Sequence, residues 1–92
     1  MSNDVDNLIL YFTASWCEPC KKTRPIVEQL NLDQTIVRFF IIDAEDAKQM
    51  AIDFNIESVP TFILIKDGAI VESTSGQKNK KELEEMINYY KS

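Results

Sequence analysis

Ninety-two residues, 45% hydrophobic and 27% charged, fit one small globular domain and leave no length for a second. Fifteen acidic against ten basic side chains give a net charge of −5, which speaks against the positive footprint of a nucleic-acid binder. Histidine is absent, and with it every His-based catalytic triad and the commonest metal ligand.

Residues 1–6 read as a flexible polar lead-in, and 7–92 as a single domain. Leu8-Ile9-Leu10-Tyr11-Phe12 is an almost unbroken apolar run, the mark of a strand covered on both faces. A helix follows, with Thr23, Ile26, Val27 and Leu30 on one face and Pro25 inside it, where the missing N–H predicts a bend. The stretch from Ile36 to Ile42 reads as a second strand of the buried type. Asp43 is expected to cap a second helix whose apolar side is Ala47, Met50, Ala51 and Phe54. Pro60 opens a third strand, Thr61 to Ile65. Asp67-Gly68 is a hairpin signal leading to a more polar strand at Ala69 to Thr74, as an edge strand would be. A last helix starts near Asn79, with Glu82 at capping-box distance and Leu83, Met86, Ile87 and Tyr90 as its buried stripe. The charged run from Lys78 to Glu85 is the solvated side of that helix. The order is β-α-β-α-β-β-α. It predicts an α/β fold with a four-stranded mixed sheet, first pair parallel, and helices on both faces.

No segment approaches the roughly 18 apolar residues of a membrane span. Met1 to Asp6 carries acids where a secretory signal carries bases. Both observations point to a cytoplasmic protein without membrane attachment, in a compartment where structural disulfides are rare. Its two cysteines, Cys17 and Cys20, would make a poor staple, since closing so short a loop is worth only ~2 kcal/mol.

Trp16-Cys17-Glu18-Pro19-Cys20-Lys21 lies where the first strand gives way to the first helix. A helix N-terminus carries unpaired N–H groups and a positive partial charge, which stabilise a thiolate. Pro19 suits the first turn, where its missing N–H costs nothing. Spacing i, i+3 turns the sulfurs toward each other, so one can attack a disulfide and the other release the adduct. That requires one sulfur, on Cys17, to be ionised and accessible. A zinc or iron–sulfur site would need four ligands, which two cysteines without histidine do not supply. Two inert cysteines at this spacing remain the bland alternative.

The Trp-Cys-x-Pro-Cys-Lys motif resembles the active site of the thioredoxin family, and the resemblance extends over residues 7 to 90. Pro25 matches that family's helix-kinking proline, and Val59-Pro60-Thr61 resembles its loop with a cis X-Pro bond. Lys66-Asp67-Gly68 resembles the hairpin after it, and Gly76 the glycine that lets a partner chain approach. The resemblance implies a thioredoxin-like fold in a trimmed form without the usual N-terminal β-α unit. It also implies catalysis by Cys17 and Cys20, with Trp16, Glu18, Pro19, Val59, Pro60 and Gly76 contacting substrate. The same resemblance implies no bound cofactor and no metal, with a redox-active disulfide Cys17–Cys20 carrying the electrons. The implied partners are protein disulfide substrates and an NADPH-dependent flavoprotein, thioredoxin reductase, with the chain itself a monomer.

Two departures from the family pattern bear on mechanism. Glu18 replaces a glycine between the cysteines and opposes the Cys17 thiolate by about 0.5–1 kcal/mol. Tyr11 and Phe39 replace a buried aspartate and its lysine partner, leaving Cys20 without the usual proton acceptor; Glu18 or water is expected to serve. Two rival functions remain open. A glutaredoxin-like, glutathione-dependent reductase is disfavoured by Gln77-Lys78 after Gly76 and by Pro19 preceding Cys20. A non-catalytic binding module is disfavoured by the retention of both cysteines.

Overall fold

The computed structural model describes residues 6–91. The lead-in expected at 1–6 therefore lies outside the described residues except for Asp6, whose carbonyl accepts the Gly68 N–H at 2.9 Å. Seven elements follow the predicted order: β1 Leu8–Thr13, α1 Glu18–Asp33, β2 Arg38–Asp43, α2 Lys48–Asp53, β3 Thr61–Lys66, β4 Ala69–Ser75 and α3 Lys80–Asn88. They build an α/β fold around one mixed sheet of order β2-β1-β3-β4, with β1 parallel to β2 and antiparallel to β3. Strands β3 and β4 form the hairpin across Asp67-Gly68, where both residues take positive φ. Gly68 is at ease there, having no Cβ.

Strand β1 is central and alternates between two cores. Ile9 and Tyr11 point to one face, joining Val27 and Leu30 of α1, Phe39, Phe62, Leu64, and Leu83, Met86 and Ile87 of α3. Leu10 and Phe12 point to the other, where they meet Ile63 and the half-buried Ala51, Phe54, Ile56 and Val59. Tyr11 stacks on Phe62 with ring centroids 4.8 Å apart, and Phe39 meets the same ring edge-on at 6.4 Å. The two aromatics at 11 and 39 thus form one buried cluster. Asn79 and Glu82 close the predicted capping box at the start of α3. Tyr90 lies just beyond the last turn, half-buried, with its hydroxyl donating to Leu8 O at 3.1 Å.

Three expectations need correction. The second strand starts at Arg38 rather than Ile36, and it is an edge strand, not a doubly covered one; Phe40 is 42% exposed. Its early end is set by Gln34, whose Oε1 accepts the N–H groups of Ile36 and Val37 while its Nε2 donates to Leu30 O and Val37 O. Asp43 caps a turn, not the helix. Its Oδ1 accepts the N–H groups of Glu45 and Asp46, and α2 begins later, behind Ala47, without a side-chain cap. Helix α2 also buries no residue fully, and Met50 faces solvent. Among the described residues no helix is long and apolar enough to cross a membrane.

Candidate active site

Strand β1 ends at Thr13, and Ala14 to Trp16 turn the chain into α1 at one end of the sheet. Cys17 N donates to Ala14 O at 3.2 Å, which closes that turn. Cys17 then stands at the N-cap of α1 in extended conformation, and its sulfur accepts the Cys20 N–H at 3.3 Å. A sulfur here fills the place usually held by a serine or aspartate oxygen. Pro19 sits in the first turn, where its lack of a donor is harmless. The Cα atoms of Cys17 and Cys20 are 5.2 Å apart and their sulfurs are bonded.

The sulfurs are more enclosed than the sequence suggests. Cys17 is 4% exposed and Cys20 1%, because Ala14 and Val59 pack around the pair. In the disulfide the two sulfurs also shield each other. Cys17 keeps slightly more exposed surface than Cys20, and its chain neighbour Trp16 is 64% exposed.

The Val59–Pro60 bond is cis, and the Val59 carbonyl oxygen lies 3.6 Å from Cys17 Sγ. Pro60 is buried, and its carbonyl accepts the Gly76 N–H at 2.9 Å. That bond ties the end of β4 to the loop before β3. Gly76 has φ +100°, and a Cβ placed there would meet nothing within 4 Å. The glycine is therefore required by the backbone angle and not by crowding, and the space beside it is open to an approaching chain. Trp16, Cys17, Cys20, Val59 and Pro60 are thus brought to one end of the sheet, with Gly76 bonded to Pro60.

Glu18 and Pro19 are exposed on the first turn of α1. The Glu18 carboxylate pairs with Lys21 Nζ at 3.1 Å on the solvent side, so its charge is partly balanced by a neighbouring cation. Its hydrogen bond goes to Lys21, not to Cys20. Beneath the pair lies Tyr11, fully buried, with its hydroxyl donating to Cys20 O at 3.2 Å. Burial raises the pKa of Tyr11 above its ordinary value of 10, only partly offset by a hydrogen bond with the Thr13 side chain. The phenol stays neutral at physiological pH. Sequence reasoning placed Tyr11 in the core but missed its bond to the second cysteine. The parity of β1, which puts Ile9 and Tyr11 on the α1 side, was the available signal. Among the described residues no group of three or more His, Cys, Asp or Glu side chains could hold a metal ion.

A thioredoxin-family profile matches residues 1–89. The chain belongs to the thioredoxin family. It is 38% identical over 95 aligned residues to a thioredoxin of Aspergillus fumigatus, across 90% of this chain and 88% of that protein. It is 41% identical to the TPR repeat-containing thioredoxin TDX of Arabidopsis thaliana, covering 92% of this chain but 22% of that longer protein. Among solved structures, Fasciola hepatica thioredoxin superposes with a TM-score of 0.86 at 34% identity, over 97% of this chain and 85% of the other. The chain is accordingly a thioredoxin-type thiol–disulfide oxidoreductase, a protein-disulfide reductase with Cys17–Cys20 as its redox-active disulfide. Protein disulfides are the substrates the family implies. The disulfide itself carries the electrons, so no bound cofactor is called for.

Proposed function

We propose that Cys17 is the attacking and Cys20 the resolving sulfur of a general protein-disulfide reductase. The observation that carries this reading is the seat of Cys17 at the N-cap of α1, its sulfur receiving the Cys20 N–H. In the reduced protein the helix N-terminus favours the Cys17 thiolate. That thiolate attacks a substrate disulfide, one substrate sulfur departs, and Cys17 is left in a mixed disulfide. Cys20, deprotonated in turn, attacks the Cys17 sulfur. The second substrate sulfur departs and the Cys17–Cys20 bond closes. Two electrons pass from the dithiol to the substrate, and the protons lost by the two cysteines end on the two substrate thiols.

Substrate docks, in this reading, as an extended segment along the loop at Val59, pairing with its backbone beside Cys17. Trp16 offers a flat apolar face, Glu18 and Pro19 form the rim on one side, and Pro60 and Gly76 leave room on the other. The oxidised pair is returned to the dithiol by an NADPH-dependent flavoprotein, thioredoxin reductase. Residues 7–92 act as one domain and as a monomer, in the cytoplasm. Trapping tests the assignment. Cys20→Ser, reduced and mixed with a disulfide-bonded protein, should accumulate a covalent adduct on Cys17 that mass spectrometry locates. Absence of the adduct, or faster trapping by Cys17→Ser, overturns the roles.

A further inference from the structure

We propose that Tyr11 is a positioning residue of the exchange reaction, its hydroxyl holding the Cys20 carbonyl and so seating the resolving sulfur against Cys17. The inference rests on the assignment of Cys20 as the resolving cysteine.

The first turn of α1 carries both sulfurs, and buried hydroxyls bond two of its carbonyls. Thr23 Oγ1, within the helix, donates to Pro19 O at 3.1 Å, and Tyr11 donates to Cys20 O at 3.2 Å. Of these two bonds, the second joins α1 to the sheet. It lies where the helix ladder is weakest, because Pro25 has no N–H to give the next carbonyl, that of Lys21. Tyr11 is itself fixed at the centre of β1, stacked on Phe62, with no exposed surface. A rigid strand therefore sets where the Cys20 turn stands.

Resolution of the mixed disulfide is an intramolecular attack, so its rate depends on how well Cys20 Sγ is held on line with Cys17 Sγ. Good positioning is worth orders of magnitude in effective concentration. The same effective concentration governs how readily the Cys17–Cys20 bond closes at equilibrium. Tyr11 touches neither sulfur in this role and transfers no proton, as befits a phenol whose burial keeps it neutral.

Tyr11→Phe removes the hydroxyl and keeps the stack on Phe62, and the Cys20 carbonyl retains its place in the helix ladder, so the fold should survive. The expected result is about a three- to tenfold slower resolution of a preformed mixed disulfide, with the initial attack by Cys17 unchanged. The equilibrium constant for disulfide formation against glutathione should fall in parallel; a tenfold fall is about 30 mV toward a less negative potential. The ratio of variant to wild-type resolution rates should stay constant from pH 6 to 9. Wild-type rate and potential in the variant would overturn the proposal, as would an equal loss in the first attack. A ratio that varied with pH would also overturn it, since Tyr11 would then be moving a proton. The trapping experiment on Cys20→Ser separates the two levels: if the trap works and Tyr11→Phe resolves normally, only the role of Tyr11 fails.

Discussion

The two ends of α1 are finished in opposite ways. At the start, the cap is the Cys17 sulfur, a weak acceptor, and among the first-turn residues Pro19 contributes no donor. Positive partial charge is left over there, ready for a thiolate. At the other end, two side-chain amides tie the helix to β2 and to the loop before it. Gln34 bonds Leu30 O, Val37 O and the N–H groups of Ile36 and Val37, while Asn31 both donates to Phe39 O and accepts Phe39 N–H, each at 2.9 Å. A strand residue points its N–H and C=O to the same side, so these bonds mark the outward side of β2, away from β1. Asn31 stands in for a missing neighbour strand. One end of a single helix is kept under-satisfied for chemistry and the other is closed for structure, so activity and stability should separate according to which end is altered.

The largest effect should come from the closed end. Asn31→Leu removes both hydrogen bonds from the half-buried Phe39 backbone, and each is worth about 0.5–1.5 kcal/mol. Urea denaturation should show a lower midpoint at unchanged slope. The same change opens the β2 edge, so sedimentation should reveal concentration-dependent pairing absent from the wild type. Disulfide exchange at low concentration and 10 °C should stay within twofold. A loss of exchange with stability intact would erase the contrast between the ends.

In its effect on stability the reverse experiment is smaller. Serine is among the favoured N-caps, so at a pH low enough to keep Cys17 a thiol, Cys17→Ser should be about 0.5–1 kcal/mol more stable than the reduced wild type, while it loses disulfide reduction altogether. Comparing the two by thermal unfolding under reducing conditions checks it. If the reduced wild type is the more stable, the sulfur is no poor cap and the N-terminal end carries no structural sacrifice.

Most of the element order could be read from the chain, because apolar spacing is a local signal: β1, β3 and α3 with its Asn79–Glu82 box stand where periodicity and capping put them. What escaped was non-local. Whether Ile36 and Phe40 are covered depends on which strand lies beyond β2, and no window of sequence holds that fact. Asp43 has the right side chain for a cap, but it closes a turn, and residues 44–47 separate it from the start of α2. The site divides along the same line. Cys17, Pro19 and Cys20 act on one another across a single helical turn, so their spacing discloses their chemistry. Val59, Pro60 and Gly76 come from distant parts of the chain and were legible only through resemblance. The bond from Tyr11 to Cys20 crosses from strand to helix, and strand parity alone hints at it.

The open end should respond to charge, though weakly. An exposed carboxylate one residue from Cys17 opposes its thiolate by about 0.5–1 kcal/mol in an aqueous surround. Lys21, bonded to Glu18 at 3.1 Å, places a cation beside that carboxylate and cancels part of its field. Removing the anion favours ionisation, so Glu18→Gln should move the midpoint of Cys17 alkylation to lower pH, by about half a unit or less. Lys21→Met removes the cation and should move it the other way by a similar amount. The rate of attack on a disulfide at pH 7 should change by less than about twofold, since a thiolate formed more easily is also a poorer nucleophile. A displacement of more than about one unit in Glu18→Gln would mean that the carboxylate acts on Cys17 at closer range than its exposed pairing allows. The first turn would then be charge-controlled rather than dipole-controlled, and the difference between the two ends of α1 would owe less to capping than to Glu18 itself.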